Sequence, residues 1–550
     1  MYCYQCQETS KNVACVIQGF CGKDEQVAEF QDLLIYILKG IAQIAAARKD
    51  EAGSIPALNW EVAHSLLMTA PNANFDAEKI QQQMRKMISL RNELRTAADL
   101  DDWHDAATFE LDGGKSGLYA KEHMLYKASR VGVLATRDEE LRSFRETILY
   151  GIKGIAAFLH QASATGKEDD QICAFLYEAM AATLDDTLSL DDLMMLVEKT
   201  GRYGLRAMAL LDEAYTSRYG NPEITEVQRG VRNNPAILVS GHHLDDLEQL
   251  LEQTQGTGVD VYTHGEMLAA HYYPWFKKYD HLVGNYGDSW RKQAGQFRSF
   301  RGPILFTSGC MIPPRQEGIG DRVFTTGFAG YPGCFHIASD VRGKKDFSAL
   351  IRLAQSLPVP DEIESGTITG GFARNQLESW GSRLAEAVKS GAIRKIIVMA
   401  GCDGRMKSRE YYTEFAGKLP ADTVILAAGC VKYRFNKLVL GDISGIPRFM
   451  DAGQINDCYA IIAVVLKLKK ILGVDDINKL PIVYNIAWYA PHAIIVWLAL
   501  LSLGVKDIHI GPTWPAFITR SLARILTERY RIAGIHSVNE DIAVLMTDNA

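Results

Sequence analysis

Proline is nearly missing from the first 220 of the 550 residues: only Pro56 and Pro71 occur there, and the other 15 of 17 come later. Its absence leaves that part free to form long helices. Long hydrophobic runs are also lacking. The most apolar stretch, 493–505, has 13 residues, too few to span a bilayer, and reads as a buried helix. The N-terminus, MYCYQCQETS, has no basic n-region, apolar h-region or small-residue cleavage site, so it does not read as a secretory signal. No twin-arginine pattern is present, and the expectation is a cytoplasmic protein with reduced thiols. Positive charge is not in excess: 59 Lys and Arg stand against 66 Asp and Glu, a net charge of −7. Nothing in that balance calls for a nucleic-acid or anionic membrane partner. Ten cysteines are too few for a disulfide scaffold.

What is present divides the chain. Apolar residues at 47% and charged residues at 23% describe a soluble globular protein. The first part carries helical periodicity, as at Leu33, Leu34, Ile37, Leu38, Ile41 and Ile44. Phe30–Ala42 matches Phe144–Ala156 at an offset of 114, with six of 13 positions identical. Two similar helical bundles in succession are expected. After residue 219 short apolar runs alternate with helical stretches. Strands are expected at 236–240, 259–262, 304–308, 395–400, 423–428, 482–487 and 507–510, in parallel, doubly covered sheets. A break near Pro358-Val-Pro360 gives three domains: helical 1–219, and Rossmann-like α/β domains 220–359 and 360–550.

Four of the ten cysteines lie in the first 21 residues: Cys3, Cys6, Cys15 and Cys21, spaced C-x2-C-x8-C-x5-C. Four thiolates in one short loop can close around an Fe4S4 cube, although the spacing matches neither usual ferredoxin pattern; zinc is the competing occupant. Further on, candidate ligands fall just past expected strands: His242 and His243, His264 and Glu266, Cys310, Cys402 and Cys430. Ligands bind outside the carboxyl ends of strands in open α/β sheets, so these residues can share one crevice. Thiolate, imidazole and carboxylate together exceed one tetrahedral zinc and suit a polynuclear iron–sulfur–oxygen cluster. The alternative is buried free cysteines in ordinary loops. His64, His104, His123, His160, His281, His509 and His536 read as solvated or hydrogen-bonded, and Cys173 as core.

The motifs MYCYQCQET, GFCGK, GNPEIT, SGHH, GTGVDVYTHGEML, VMAGCDGR, GCVKYRFNKL and DAGQ resemble, over essentially the whole chain, the hybrid cluster (prismane, or hydroxylamine reductase) family. That resemblance implies two helical bundles and two Rossmann-like domains. It also implies an Fe4S4 cluster on Cys3, Cys6, Cys15 and Cys21, and a hybrid Fe4S2O2-type cluster on His242, Glu266, Cys310, Cys402 and Cys430. Glu266, His242 and Cys402 would be the catalytic ligands, with a persulfide on Cys402. The implied activity is reduction of hydroxylamine to ammonia and water, with nitric oxide reduction and nitrosative stress as related roles. A ferredoxin-like or rubredoxin-like donor would supply electrons. Two family ligands are missing: Ile455 stands for a cysteine after DAGQ, and Ala490 for a glutamate after IAWY. Cys458, three residues beyond Ile455, is a tentative replacement, and His492 stands near the lost carboxylate. Cys334 is an extra thiol. A divergent paralogue acting in electron transfer or NO sensing is the second reading, and a carbon monoxide dehydrogenase-like enzyme a third.

Overall fold

The computed structural model describes residues 1–48, 55–96, 103–113, 118–314, 318–340 and 342–547. Its first part is helical, as the scarcity of proline predicts: α1 (Glu25–Ala47), α2 (Pro56–Met68), α3 (Ala77–Thr96), α4 (Asp105–Thr108), α5 (Leu118–Ala128), α6 (Glu139–Ala164), α7 (Asp170–Ala182) and α8 (Leu190–Tyr219). Local sequence sets several ends. Asp24 caps α1 by accepting from the Val27 N–H, and Asp138 caps α6 by accepting from Leu141. A Ser189/Asp192 capping box starts α8, which stops at Gly220, φ +84°.

The repeated segments lie at the centres of α1 and α6, but the two helical groups share members. Helix α1 packs against α3 and also α7, while α6 packs against α8 and also α2. The glycine common to both repeats does the same work in each. A Cβ at Gly40 would stand 2.0 Å from the Ala106 carbonyl oxygen, and one at Gly154 2.4 Å from Ile495 Cγ2. Each glycine thus lets a neighbouring segment close onto its helix. By length and composition α1 is apolar enough to cross a membrane, yet 61% of the relevant window is buried inside the protein.

Two sheets follow. The first contains β1 (Thr225–Gln228), β2 (Ala236–Ser240), β3 (Asp260–His264), β4 (Leu282–Asn285), β5 (Ile304–Phe306), β6 (Val323–Thr326), β7 (Phe335–Ile337) and β8 (Thr367–Gly370), in the order 7-6-5-2-3-4-1-8. All its pairings are parallel except β1 with β8. Strands β9 (Lys395–Gly401) and β10 (Thr423–Ala428) come next, then a two-stranded hairpin of β11 (Asp442–Ile443) and β12 (Ile446–Pro447). With β13 (Phe449–Asp451), β14 (Ile482–Ala487), β15 (Ile508–Gly511) and β16 (Ala533–Gly534), β9 and β10 form a parallel sheet ordered 13-10-9-14-15-16. Strand β8 lies beyond the break expected at 358–360 yet completes the first sheet.

The apolar stretch expected to be a buried helix is one: Pro491–Ser502 packs against α6 and α8. A segment that follows a strand of the second sheet therefore becomes part of the helical layer. It carries the end of β14 to the place where all three parts meet.

Candidate metal centres

The carboxyl ends of seven strands open onto one buried cavity. Its lining includes His242 and His243 after β2, Glu266 after β3, and Cys310 after β5. Cys402 follows β9, Cys430 follows β10, and Ala490, Pro491 and His492 follow β14. Ile455, from the loop after β13, completes that side, and Leu67, Ala157 and Gln161 close it from the helical layer. The cavity volume is about 50 Å3. The structure thus brings His242, Glu266, Cys310, Cys402 and Cys430 together.

The glycines before the thiols act unequally. Gly401 (φ +122°) and Gly429 (φ +87°) occupy the left-handed region, and a Cβ on either would lie 2.0–2.2 Å from a facing carbonyl oxygen. Only glycine permits these two strand ends to touch. Gly309 has no such contact; there Cys310 itself takes φ +70°, a strained conformation of the kind held at functional sites.

Hydrogen bonds orient the candidate ligands. His242 Nδ1 pairs with Ser308 Oγ at 2.7 Å, which leaves Nε2 for a ligand. The Ile455 N–H donates to Glu266 Oε2 at 2.9 Å, and the Asp403 N–H to Cys430 Sγ at 3.0 Å. Burial raises the Glu266 carboxyl to about 7, against the pull of Lys432. Burial, then the Glu266 charge, pushes the Cys402 thiol up to about 12. Cys310 and Cys430 are raised by burial and by Cys402 and Glu266 beside them. Several acidic groups in one dry site cannot all ionise unaided, whereas a bound metal supplies the compensating charge and deprotonates its thiols. Burial lowers His492 to about 4, which keeps it neutral. This donor set fits iron–sulfur–oxygen chemistry, but the side chains of Ile455 and Ala490 offer no donor atom. Among the described residues no three such side chains close on a single metal ion. Ligands of a polynuclear cluster each hold a different metal atom and need no such closeness.

The N-terminal loop forms a second thiol group. Cys3 and Cys15 exchange both backbone hydrogen bonds, at 3.0 and 2.8 Å. Cys6, Cys15 and Cys21 are buried and Cys3 partly so. Burial raises Cys6 and Cys21; the nearby Cys21 and Cys3 raise Cys6 further, and Cys3 and Cys15 do so for Cys21. Four mutually repelling thiols in one loop fit a four-thiolate cluster. Val13, Val16, Ile17 and Phe20 are exposed beside them. The loop docks on the second sheet: the Gln7 N–H donates to the Tyr489 carbonyl at 2.9 Å, and Glu8 pairs with Arg405 at 2.7 Å. Fully buried Arg409 donates to Gln7 Oε1 at 3.0 Å, to the Cys402 carbonyl at 2.8 Å and to the Trp488 carbonyl at 2.6 Å.

Cys458 is not brought into the strand-end cavity. It begins the helix Cys458–Leu472 and lines a separate apolar pocket with Val398, Ile461, Ile486 and Val496. Cys458→Ser should therefore leave the iron content unchanged while losing about 1–3 kcal/mol of stability to an unsatisfied buried hydroxyl. Iron analysis beside urea unfolding checks both parts, and a selective loss of iron would restore Cys458 as a ligand. Cys173 is core within α7, and Cys334 packs at the edge of the first sheet's core.

One histidine expected to be solvated or hydrogen-bonded, His160, is neither. Both ring nitrogens of buried His160 and Nδ1 of His64 lack a partner among the described residues. His160 stacks on Trp60 at 3.8 Å and lies 5.2 Å from His243 and 5.6 Å from His64, ring centre to ring centre. These three histidines line a cleft with Glu61, Lys86, Glu248 and Lys345, and His243 also lines the strand-end cavity. His64 and His160 were isolated residues in sequence, with no signal short of the tertiary fold, whereas His243 was marked beside His242 in SGHH.

A helical layer, two parallel sheets and thiol, imidazole and carboxylate groups at shared strand ends define a multidomain α/β protein built around metal centres. The chain belongs to the prismane/CO dehydrogenase family, whose model matches residues 1–543; iron–sulfur clusters are implied by that membership. It is 59% identical over 547 residues to the hydroxylamine reductase of Acetivibrio thermocellus, covering all of both chains. Identity to the hydroxylamine reductase of Desulfovibrio desulfuricans is 52% over 544 residues, with 98% of each covered. Among solved structures, it resembles a nickel-free carbon monoxide dehydrogenase from Thermococcus sp. AM4. There the TM-score is 0.57 at 16% identity, with 99% of this chain and 90% of that one covered. Carbon monoxide dehydrogenase IV from Carboxydothermus hydrogenoformans gives 0.56 at 14%, covering 99% and 92%. At these identities the likeness is one of fold.

Proposed function

We propose that this chain is an oxidoreductase that reduces hydroxylamine: NH2OH + 2 H+ + 2 e− gives NH3 + H2O. One observation carries the reading: a chain matching hydroxylamine reductases end to end brings His242, Glu266, Cys310, Cys402 and Cys430 to one cavity. Cys3, Cys6, Cys15 and Cys21 would hold an Fe4S4 cluster, and the cavity residues a hybrid iron–sulfur–oxygen cluster. The chemistry these groups supply when bound is single-electron relay and reductive cleavage of the N–O bond at a Lewis-acidic metal.

The protein's own residues do the rest. Ser308 fixes the His242 tautomer, and the Ile455 N–H orients Glu266. Ala157, Phe328 and Ile455 keep the cavity dry. Protons enter along His64, His160 and His243, where the unpartnered nitrogens of His160 and Nδ1 of His64 give ordered water a foothold. The exposed apolar face beside Cys15 and Cys21 leaves the N-terminal loop open to a ferredoxin-like or rubredoxin-like donor in the cytoplasm. Nitric oxide reduction under nitrosative stress belongs to the same reading, as does a persulfide on Cys402.

Protein purified without oxygen should contain about eight irons and turn over hydroxylamine with reduced viologen, one ammonia per two electrons. The donorless Ile455 and Ala490 favour a second reading, a paralogue with an altered cluster that transfers electrons or senses NO. About four irons and no turnover would establish that one instead. Nickel at one per chain would move the assignment to carbon monoxide chemistry.

A further inference from the structure

We infer that His492 is a metal ligand of the strand-end cavity, so that two imidazoles, His242 and His492, hold the group bound there. The inference deepens the proposed function and rests on its second cluster.

Five strand ends, after β2, β3, β5, β9 and β10, each send at least one side-chain donor into this cavity. Strand β14 is the sixth. Of the four residues it contributes to the lining, Ala490 and Pro491 carry no donor and the Tyr489 hydroxyl is engaged by Asn72 and Glu8, which leaves His492. Ile455, from the end of β13, offers none either.

The position of His492 is fixed by packing. It is the second residue of the helix that Pro491 opens. That helix is clamped by α6, where a Cβ at Gly154 would fall 2.8 Å from the Pro491 carbonyl. Phe158 of α6 meets the ring edge-on, with centres 6.3 Å apart and planes at 90°. On another side His242 lies parallel, at 5.7 Å and 8°. Both imidazoles therefore sit against one space.

The two rings differ in their partners. His242 has one nitrogen tied to Ser308 and one free. No hydrogen bond reaches His492 from any described residue. The half-buried His492 ring opens onto this cavity, where its neighbours include thiols, a carboxylate and another imidazole. A metal shared with them satisfies His492 without moving a backbone atom, and mixed thiolate and imidazole ligation is established iron–sulfur chemistry.

The test uses anaerobically purified full-length protein labelled with 15N-histidine and poised in a paramagnetic state. Electron–nuclear resonance of the second cluster should show two inequivalent histidine nitrogen couplings in the wild type. One should vanish in His492→Ala, and the other in His242→Ala. His492→Asn serves as a second variant, and the N-terminal cluster signal reports that each variant folds. A single coupling in the wild type, or two that persist in His492→Ala or His492→Asn, overturns the assignment. So does a variant that keeps both couplings and loses only turnover, since that makes His492 a proton donor. About eight irons with one coupling defeats this inference alone, whereas about four irons in the wild type defeats the proposed second cluster with it.

Discussion

Asp403→Ala should destabilise the protein by about 3–5 kcal/mol, the cost of leaving a buried cation without its partner. Asp403 is fully buried. It accepts from Arg434 Nε at 2.7 Å, Arg291 Nε at 2.8 Å and Ser289 Oγ at 2.6 Å. Arg434 is itself almost wholly buried, with further bonds to the Gly404 carbonyl and Glu410. Removing the carboxylate leaves that guanidinium only the exposed Glu410 as counter-charge in a medium that solvates charge poorly. The damage reaches the metal centre, because Asp403 follows Cys402 directly and its N–H donates to Cys430 Sγ. Iron in the second cluster should fall along with the urea midpoint. Asp403→Asn, which keeps the shape but not the charge, should fall between. A midpoint shift worth less than about 1 kcal/mol for the alanine variant would mean that the two arginines find other partners.

Cys6→Ala should remove about four irons and lower hydroxylamine turnover with a protein electron donor more than tenfold. Three thiolates leave one corner of a cube without its protein ligand. Cys6 is the most apt choice because it is buried and its successor, Gln7, ties the loop to Tyr489 and Arg409. The second cluster's signals should survive, which separates lost electron entry from lost chemistry. Cys173→Ser, in the core of α7, should leave both iron and turnover unchanged. Turnover of Cys6→Ala within twofold of wild type would show that electrons enter elsewhere.

The strand ends that build the cavity were legible because each joins a continuous apolar run to a glycine and a polar residue, as in IIVMAGC and VILAAGC. Periodicity marks such runs, and topology forces their carboxyl ends to one edge. Strands β1, β7, β8 and β16 left no such trace. They have two to four residues, and TEVQ and TITG carry too little apolar content to stand apart from loops. Strand β8 also pairs antiparallel at the sheet's edge, across an apparent linker. The expectation for Cys458 rested on i, i+3 spacing within one helix, and, after burial, Glu266 and Cys402 do lie near enough to raise its thiol. The chain passes through a 3-10 turn at Ile455–Asp457 before the α-helix begins at Cys458, and that thiol ends in apolar packing behind the sheet. His160 could be found only from packing, because it owes its surroundings to segments more than 80 residues away, whereas the resemblance already sets His492 near the lost carboxylate.

Arg409 joins the loop of the first thiol group to the peptide of Cys402 in the second through one rigid, fully buried guanidinium. Electron tunnelling weakens exponentially with distance, so a small slip between the two loops would alter its rate severely. Cross-bracing by one side chain makes the loops move as a pair: thermal motion displaces donor and acceptor together and leaves the gap between them nearly constant. With both clusters bound as proposed, the same cation would sit between two anionic centres and lower the electrostatic cost of passing an electron from one to the other. The spacing of the proposed redox chain would then be set by an arginine that binds neither metal nor substrate.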